Sequence, residues 1–158
     1  TVLQDGKLFT GDIFSNIVVA APWLTMEDAW EAAELAGIAD DIRAMPMGMN
    51  TMVSEGAGGI SGGQRQRILI ARAVAPKPQV LFFDEATSAL DNVTQRQVSG
   101  ALDRMKCTRI IVAHRLSTIR ACDRIIVLDG GRVVEDGTYE ELCALGGVFA
   151  ELVERQTM

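Results

Sequence analysis

In the second half of the chain, short apolar runs alternate with a longer helical pattern, and this alternation restricts the possible folds more than any other feature. The runs are rich in β-branched or aromatic residues and cover Val80 to Phe83, Arg109 to Ala113 and Arg124 to Leu128. Such runs are typical of strands buried in a parallel sheet. Asn92 to Met105, with Asp91 as its N-cap, has the pattern of a crossover helix between the first two strands. The sequence therefore predicts an α/β fold with a mostly parallel sheet.

The segment before these strands, residues 13 to 75, is predicted to be mainly helical. Thr25 is followed by acidic residues in a first-turn pattern and begins an Ala-rich helix that ends near Gly37. A short helix is expected from Ala39 to Ala44. A glycine-rich loop then leads to a helix from Ser61 to about Val74.

The two ends of the chain carry simpler signals. Thr1 to Leu3 has the composition of the last part of a strand. Near the other end, Asp129-Gly130-Gly131 predicts a hairpin turn into a strand from Arg132 to Glu135. Thr138 to Glu141 then has the spacing of a capping box, which predicts the start of a helix.

The stretch Ile60-Ser61-Gly62-Gly63-Gln64 carries the strongest chemical signal. Glycines let backbone N–H groups approach a ligand without a Cβ in the way, and Ser61 at an N-cap adds a hydroxyl. Because a helix N-terminus favours an anion, these residues can form a phosphate-recognition surface. The local pattern fits equally well a glycine loop before a capped helix, with Gln64 only completing a capping box.

A longer match surrounds this stretch. ISGGQRQR, followed by Ile70-Ala71-Arg72-Ala73, resembles the signature motif of ABC ATPases almost letter for letter. The resemblance implies that the loop contacts nucleotide through Ser61, Gly62, Gly63 and Gln64.

Two carboxylates, Asp84 and Glu85, end the first predicted strand. Open α/β folds place ligands at the carboxyl ends of their strands. This position suits Asp84 to hold Mg²⁺ and Glu85 to orient and deprotonate water, whereas the alternative is a strand that ends in solvated acids. The stretch DEATSALD resembles the Walker B and D-loop segments of ABC ATPases, which implies that Asp91 contacts nucleotide across a dimer.

The only histidine, His114, directly follows the second predicted strand. A lone histidine at a strand end is most often structural. Here Ala113 to Thr118 resembles the switch-histidine segment of the family, which implies that His114 contacts the γ-phosphate and helps to position the attacking water. Gln4 resembles the Q-loop glutamine, which touches Mg²⁺ and links the site to the helical subdomain.

Two further segments resemble exporter-type members of the family. Thr51 to Gly56 looks like the loop that contacts the coupling helices of the membrane domain, and Leu8 to Ile13 is also exporter-like. Met45 to Gly48, taken with Val53 to Gly56 and the signature stretch, is similar to bacterial peptide, bacteriocin or toxin exporters.

The resemblance covers the chain and implies a partial ABC ATPase domain at residues 1–158. Its RecA-like P-loop NTPase core would comprise residues 1–12 and 76–158. The ABC-type helical subdomain, with the signature motif, would comprise residues 13–75.

In a longer parent protein, the resemblance implies hydrolysis of ATP with Mg²⁺ to power export across the bacterial membrane. The implied partners, at the cytoplasmic face of the inner membrane, are the transmembrane domain of the same transporter and a second nucleotide-binding domain bound head to tail. No nucleic-acid partner is expected, because the net charge is −6. Two alternatives remain: a soluble ABC ATPase of translation or repair, and a non-catalytic interaction module.

The chain departs from the family pattern at the phosphate loop, which needs Gly-x-x-x-x-Gly-Lys followed by Ser or Thr. Its only Gly-Lys pair, Gly6-Lys7, is followed by Leu8 and has no glycine five residues earlier. We therefore expect the Walker A loop upstream of this chain. We also expect the chain by itself to be soluble, to bind ATP weakly and not to hydrolyse it.

Overall fold

The computed structural model describes residues 1–3, 6–53, 59–84, 92–112 and 116–157, and the chain divides into two compact units, residues 1–112 and 113–158. The first unit contains β1 (Gly11–Asp12), α1 (Ile13–Val18), α2 (Met26–Leu35), α3 (Ala39–Ala44), a 3₁₀ turn (Gly48–Asn50), β2 (Met52–Val53), α4 (Gly62–Val74), β3 (Val80–Asp84), α5 (Asn92–Asp103) and β4 (Thr108–Val112). The second contains α6 (Leu116–Ile119), β5 (Ile125–Asp129), β6 (Arg132–Gly137), α7 (Tyr139–Leu145) and α8 (Val148–Thr157). No helix in these described ranges is long and apolar enough to cross a bilayer.

The helices predicted in residues 13 to 75 are present. α3 has the predicted bounds, and α4 begins directly after Ser61. α2 begins after Thr25, whose hydroxyl accepts the Asp28 N–H while the Asp28 carboxylate accepts the Thr25 N–H, so this helix start is confirmed. The antiparallel pair of β1 and β2 was not predicted, because two-residue strands leave no periodic pattern.

The buried face of α2 consists of small side chains at helical spacing. Its members are Ala29, Ala32 and Ala33, and the C-cap residue Ala36 continues it; each is at most 1% exposed. Alanine lets neighbouring helices approach closely, and α2 packs on α4. Isoleucines from the surrounding helices complete this core: Ile13, Ile17, Ile38, Ile42, Ile68 and Ile70. The core fixes the direction in which the N-terminus of α4 points.

The parallel pairing predicted for the first two strands is confirmed. β3 and β4 pair in parallel, from Val80 beside Thr108 to Asp84 beside Val112. Val2 extends this arrangement as an isolated parallel bridge to Phe83, since its N–H donates to the Phe82 carbonyl at 2.8 Å and its carbonyl accepts the Asp84 N–H at 2.9 Å. The strand character predicted for the start of the chain is therefore present.

The third predicted strand differs from the expectation of a buried parallel strand. β5 pairs antiparallel with β6, from Ile125 beside Gly137 to Asp129 beside Arg132. Of its apolar side chains, Val127 is buried, whereas Ile126 and Leu128 are 52% and 69% exposed. A tight turn returns the chain directly along β5, so the nearest partner strand is necessarily antiparallel.

The second unit confirms the predicted turn and helix start. Gly130 and Gly131 have φ values of 53° and 77°, in the left-handed region that a two-residue hairpin turn requires. The Thr138 hydroxyl accepts the Glu141 N–H, and the Glu141 carboxylate accepts the Thr138 N–H, as a capping box predicts. The small core of this unit is formed by Val127, Leu142 and Phe149.

Candidate functional site

The N-terminus of α4 presents the residues that the sequence assigned to a phosphate-recognition surface. The Ser61 hydroxyl accepts the N–H of Gln64 at 3.1 Å, and the Gln64 Oε1 accepts the N–H of Ser61 at 2.9 Å. These two bonds form a capping box, which the sequence pattern had left open as the alternative reading of this stretch. The first-turn amides of Gly62 and Gly63 have no acceptor within a helix. Together with the exposed Ser61 hydroxyl, they can meet an anion from solvent.

A carboxylate from α3 holds this end of α4 in place. The Gln64 Nε2 donates to Asp41 Oδ1 at 2.8 Å, and the Arg67 guanidinium donates to Asp41 Oδ2 at 2.8 Å. The same guanidinium donates to the Gly37 carbonyl at 2.6 Å. Burial raises the pKa of Asp41, but the hydrogen bonds from Gln64 and Arg67 outweigh it and leave that pKa below its ordinary value. Asp41 is therefore a charged partner of the loop.

Sequence reasoning missed Asp41. It lies 23 residues from Gln64 along the chain, and it stands beside Asp40 in the first turn of α3, where acidic residues are common. One signal in the sequence pointed to such a residue. Arg67, in the signature stretch, needs a negatively charged partner if it is partly buried.

Asp84 occupies the carboxyl end of β3, as predicted. It is half-buried, its backbone is bonded to Val2, and its β4 neighbour is Val112. Three parallel chain segments thus end at one edge of the sheet. Gln4, Glu85, Asp91 and His114 lie outside the described residues. In the sequence, Gln4 comes two residues after Val2, Glu85 one after Asp84 and His114 two after Val112.

The donor set at this edge fits Mg²⁺ bound together with phosphate. Mg²⁺ prefers carboxylate oxygens and commonly uses one or two of them besides substrate phosphates and water. Asp84 can supply one such oxygen. Within the described ranges, no group of three or more His, Cys, Asp or Glu side chains could hold a metal by itself.

A second polar network, which the sequence did not indicate, joins α4 to α1. The side chain of Asn16, only 1% exposed, accepts the Phe9 N–H at 2.8 Å and donates to the carbonyls of Phe9 and Asp12, both at 2.9 Å. Arg72 donates to the Asn16 carbonyl at 2.7 Å and to its Oδ1 at 2.8 Å. Arg72 also donates to the Lys7 carbonyl, and burial lowers the pKa of its guanidinium. This network ties α4 to the segment that follows Gln4.

Comparison with known proteins shows the family of this chain. A model of the ABC transporter family matches residues 4–88. The chain belongs to the ABC transporter family. It is 50% identical over 143 residues to the α-hemolysin translocation ATP-binding protein HlyB of Escherichia coli O157:H7, covering 89% of this chain and 20% of that protein. It is 46% identical over 158 residues to the ABC transporter aclQ of Aspergillus oryzae, covering 99% of this chain and 20% of that protein.

A solved structure agrees with the fold of this ABC chain. The structure of a bacterial Atm1-family ABC exporter with ATP bound matches with a TM-score of 0.95 and 40% identity, covering 99% of this chain and 28% of that one. The resemblance to ABC ATPases and the α/β class predicted from the alternating apolar runs and helix are thereby confirmed. The chain spans about a fifth of the length of the curated relatives described above.

Proposed function

We propose that this chain is part of the ATP-hydrolysing domain of an ABC exporter, and that its signature loop closes over nucleotide held by a second copy of the domain. The capped start of α4 carries this proposal. It presents a hydroxyl and two helix-start amides toward solvent while the Gln64 side chain and Asp41 are engaged within the protein. An anionic phosphate is the ligand that such a surface favours.

We assign the chemistry of hydrolysis to Asp84, at the end of β3, and to Gln4, Glu85, Asp91 and His114. Asp84 would bind Mg²⁺, which draws electron density from the phosphates when it is bound. Glu85 would accept a proton from the attacking water, because a carboxylate in hydrogen-bond reach is a competent general base. Gln4 would contact Mg²⁺, and His114 would bind the γ-phosphate and orient the water. Asp91 would contact nucleotide across the dimer.

This chain matches 20% of HlyB, which supports a longer parent protein. In that protein, this domain would lie on the cytoplasmic face of the bacterial inner membrane and couple ATP hydrolysis to a transmembrane domain. The RecA-like core and the helical subdomain would meet near residues 12 and 75. Without a Gly-x-x-x-x-Gly-Lys loop to neutralise the β- and γ-phosphates, the isolated chain would not hydrolyse ATP.

A mixing experiment tests the proposal in the full-length protein. Ser61→Ala and a substitution of the phosphate-loop lysine should each abolish ATP hydrolysis, while Ser61→Ala leaves ATP binding to each subunit intact. Co-assembly of the two variants should recover hydrolysis, because one of the two composite sites is then complete. Ser99→Ala, in an exposed position of α5, is the matched control.

Two results would contradict the proposal. Normal hydrolysis by Ser61→Ala would remove the signature loop from the reaction. A mixture that recovers nothing, although the two differently tagged subunits are shown to co-purify, would mean that the loop does not act on the nucleotide of the second subunit.

A further inference from the structure

We infer that Asp41 is a positioning residue for the signature loop, and that Gln64 acts through Ser61 and not directly on nucleotide. The inference rests on the proposed function of the loop and adds a residue and a mechanism to it. It starts from the hydrogen bonds of one side chain. Both ends of the Gln64 amide are engaged, its Oε1 by the Ser61 N–H and its Nε2 by the Asp41 carboxylate.

Asp41 determines which way the Gln64 amide points. A carboxylate only accepts hydrogen bonds, so the group of Gln64 that faces it has to be the NH₂. The oxygen of the amide then faces the Ser61 N–H, which needs an acceptor. If the amide were reversed, two donors would meet at Ser61 and two acceptors at Asp41. The carboxylate thus selects the orientation that caps α4.

Arg67 makes this arrangement compatible with an anionic ligand. The side chains of Arg67 and Asp41 are 15% and 32% exposed, and the pair is bonded at 2.8 Å. A half-buried carboxylate near a phosphate would repel it, but the guanidinium balances that charge. The capped loop can therefore offer the Ser61 hydroxyl and the amides of Gly62 and Gly63 to a phosphate, with Gln64 behind them.

The first test compares neighbouring aspartates in the full-length transporter. In Asp41→Asn, the new side chain has one accepting oxygen and one donating NH₂. Because Gln64 and Arg67 both donate, one of the two hydrogen bonds to position 41 is lost. We expect kcat for MgATP hydrolysis to fall roughly 10- to 100-fold, as for loss of a hydrogen bond to a charged group. The Kd of MgATP for the individual subunit should stay within about twofold, because the loop acts on the other subunit's nucleotide.

Asp40→Asn is the matched control, since the Asp40 side chain is 98% exposed and bonds to Arg43 on the same helix. We expect normal hydrolysis from this variant. A kcat for Asp41→Asn equal to that of Asp40→Asn would overturn the inference.

The second test is a rescue that a general loss of stability cannot imitate. Gln64→Glu retains an acceptor for the Ser61 N–H but places a carboxylate against Asp41, so hydrolysis should fall at least tenfold. Adding Asp41→Asn supplies an amide that donates to the new carboxylate and accepts from Arg67. The double variant should therefore hydrolyse MgATP several-fold faster than Gln64→Glu alone, although each single change is harmful.

If Gln64 contacts nucleotide directly, the negative charge of Gln64→Glu faces the phosphates and Asp41→Asn cannot relieve it. A double variant no faster than Gln64→Glu would overturn the inference. Ser61→Ala separates this failure from failure of the proposed function. If Ser61→Ala is inactive while no rescue occurs, only the role of Asp41 is wrong, whereas an active Ser61→Ala would refute the proposed function itself.

Discussion

At the scale of single residues, Asp84 and Glu85 are adjacent, but we expect Asp84 to bind Mg²⁺ and Glu85 to act as the general base. Asp84 ends β3 beside Val2 and Val112, where it can bind a metal with phosphate. In the full-length protein, Glu85→Gln should lower kcat for ATP hydrolysis by roughly 10²- to 10⁴-fold, the usual contribution of a general base. ATP binding should persist, because Asp84, the proposed Mg²⁺ ligand, is unchanged.

Steady-state hydrolysis and equilibrium ATP binding check this prediction together. Glu154→Gln, at an exposed position of α8, controls for loss of a carboxylate elsewhere. A Glu85→Gln enzyme that hydrolyses ATP at the rate of the control would exclude Glu85 as the base.

Residues whose partners are three positions away could be predicted from the sequence. The capped helix start at Thr25 and the capping box at Thr138 were expected, and the capping box at Ser61 was one of two readings left open, because each closes within a single turn and depends on adjacent residue types. Asp41 could not be predicted in this way, since its bond to Gln64 exists only after α3 has packed beside α4.

At the scale of elements, the junction of α1 and α4 depends on one buried carboxamide. Asn16 bonds to Phe9, Asp12 and Arg72 with almost no exposure to water. Asn16→Ala should lower the free energy of unfolding of the full-length ATPase domain by about 2–4 kcal/mol, because it leaves the buried donors and acceptors around it unpaired.

Denaturant unfolding of the domain measures this loss. Asn50→Ala, at the exposed last position of the 3₁₀ turn, should change the unfolding free energy by less than about 0.5 kcal/mol. Equal effects of the two substitutions would mean that the Asn16 network does not stabilise the junction.

The elements also show where pattern analysis fails. Short apolar runs identified β3, β4 and β5 as strands, and the parallel partner of β3 was expected. The run in β5 was taken for a buried parallel strand, which is wrong, because Ile126 and Leu128 are exposed. The hairpin turn predicted after it is confirmed, and β5 pairs antiparallel with β6 through that turn. Periodicity reports the conformation of a segment and does not report which neighbour covers it.

At the scale of the whole molecule, one face of the parallel sheet carries four exposed apolar side chains. Leu3, Val80, Ile110 and Val112 are 52%, 56%, 50% and 43% exposed, and the strand register puts them on the same side. At ~25 cal/mol per Å², covering a few hundred Å² of such surface is worth several kcal/mol. The isolated chain should therefore self-associate through this face.

Light scattering over a concentration series tests this expectation. Ile110→Lys should shift the association to at least tenfold higher concentration, because a charge cannot be buried in an apolar contact without a partner. Leu145→Lys adds the same charge at an exposed site on α7 and should have little effect. A monodisperse monomer at all concentrations, or equal effects of the two lysines, would contradict a contact through the sheet face.

The sequence by itself determined the features that form within a few residues: the helix starts at Thr25, Ser61 and Thr138, the glycine turn before β6, and the strand character of β3. It also carried the motifs that identify the family, because phosphate chemistry demands particular residue types at close spacing. Each of these depends on neighbours whose distance the covalent chain already limits.

Only the tertiary structure decided the contacts between distant segments. Asp41 meets Gln64 across 23 positions, and Arg72 meets Asn16 across 56. Such contacts are absent from local patterns because the entropy of closing a long loop is offset only when many side chains pack at the same time. The buried core therefore selects the partners, and these partners fix the position of the signature loop.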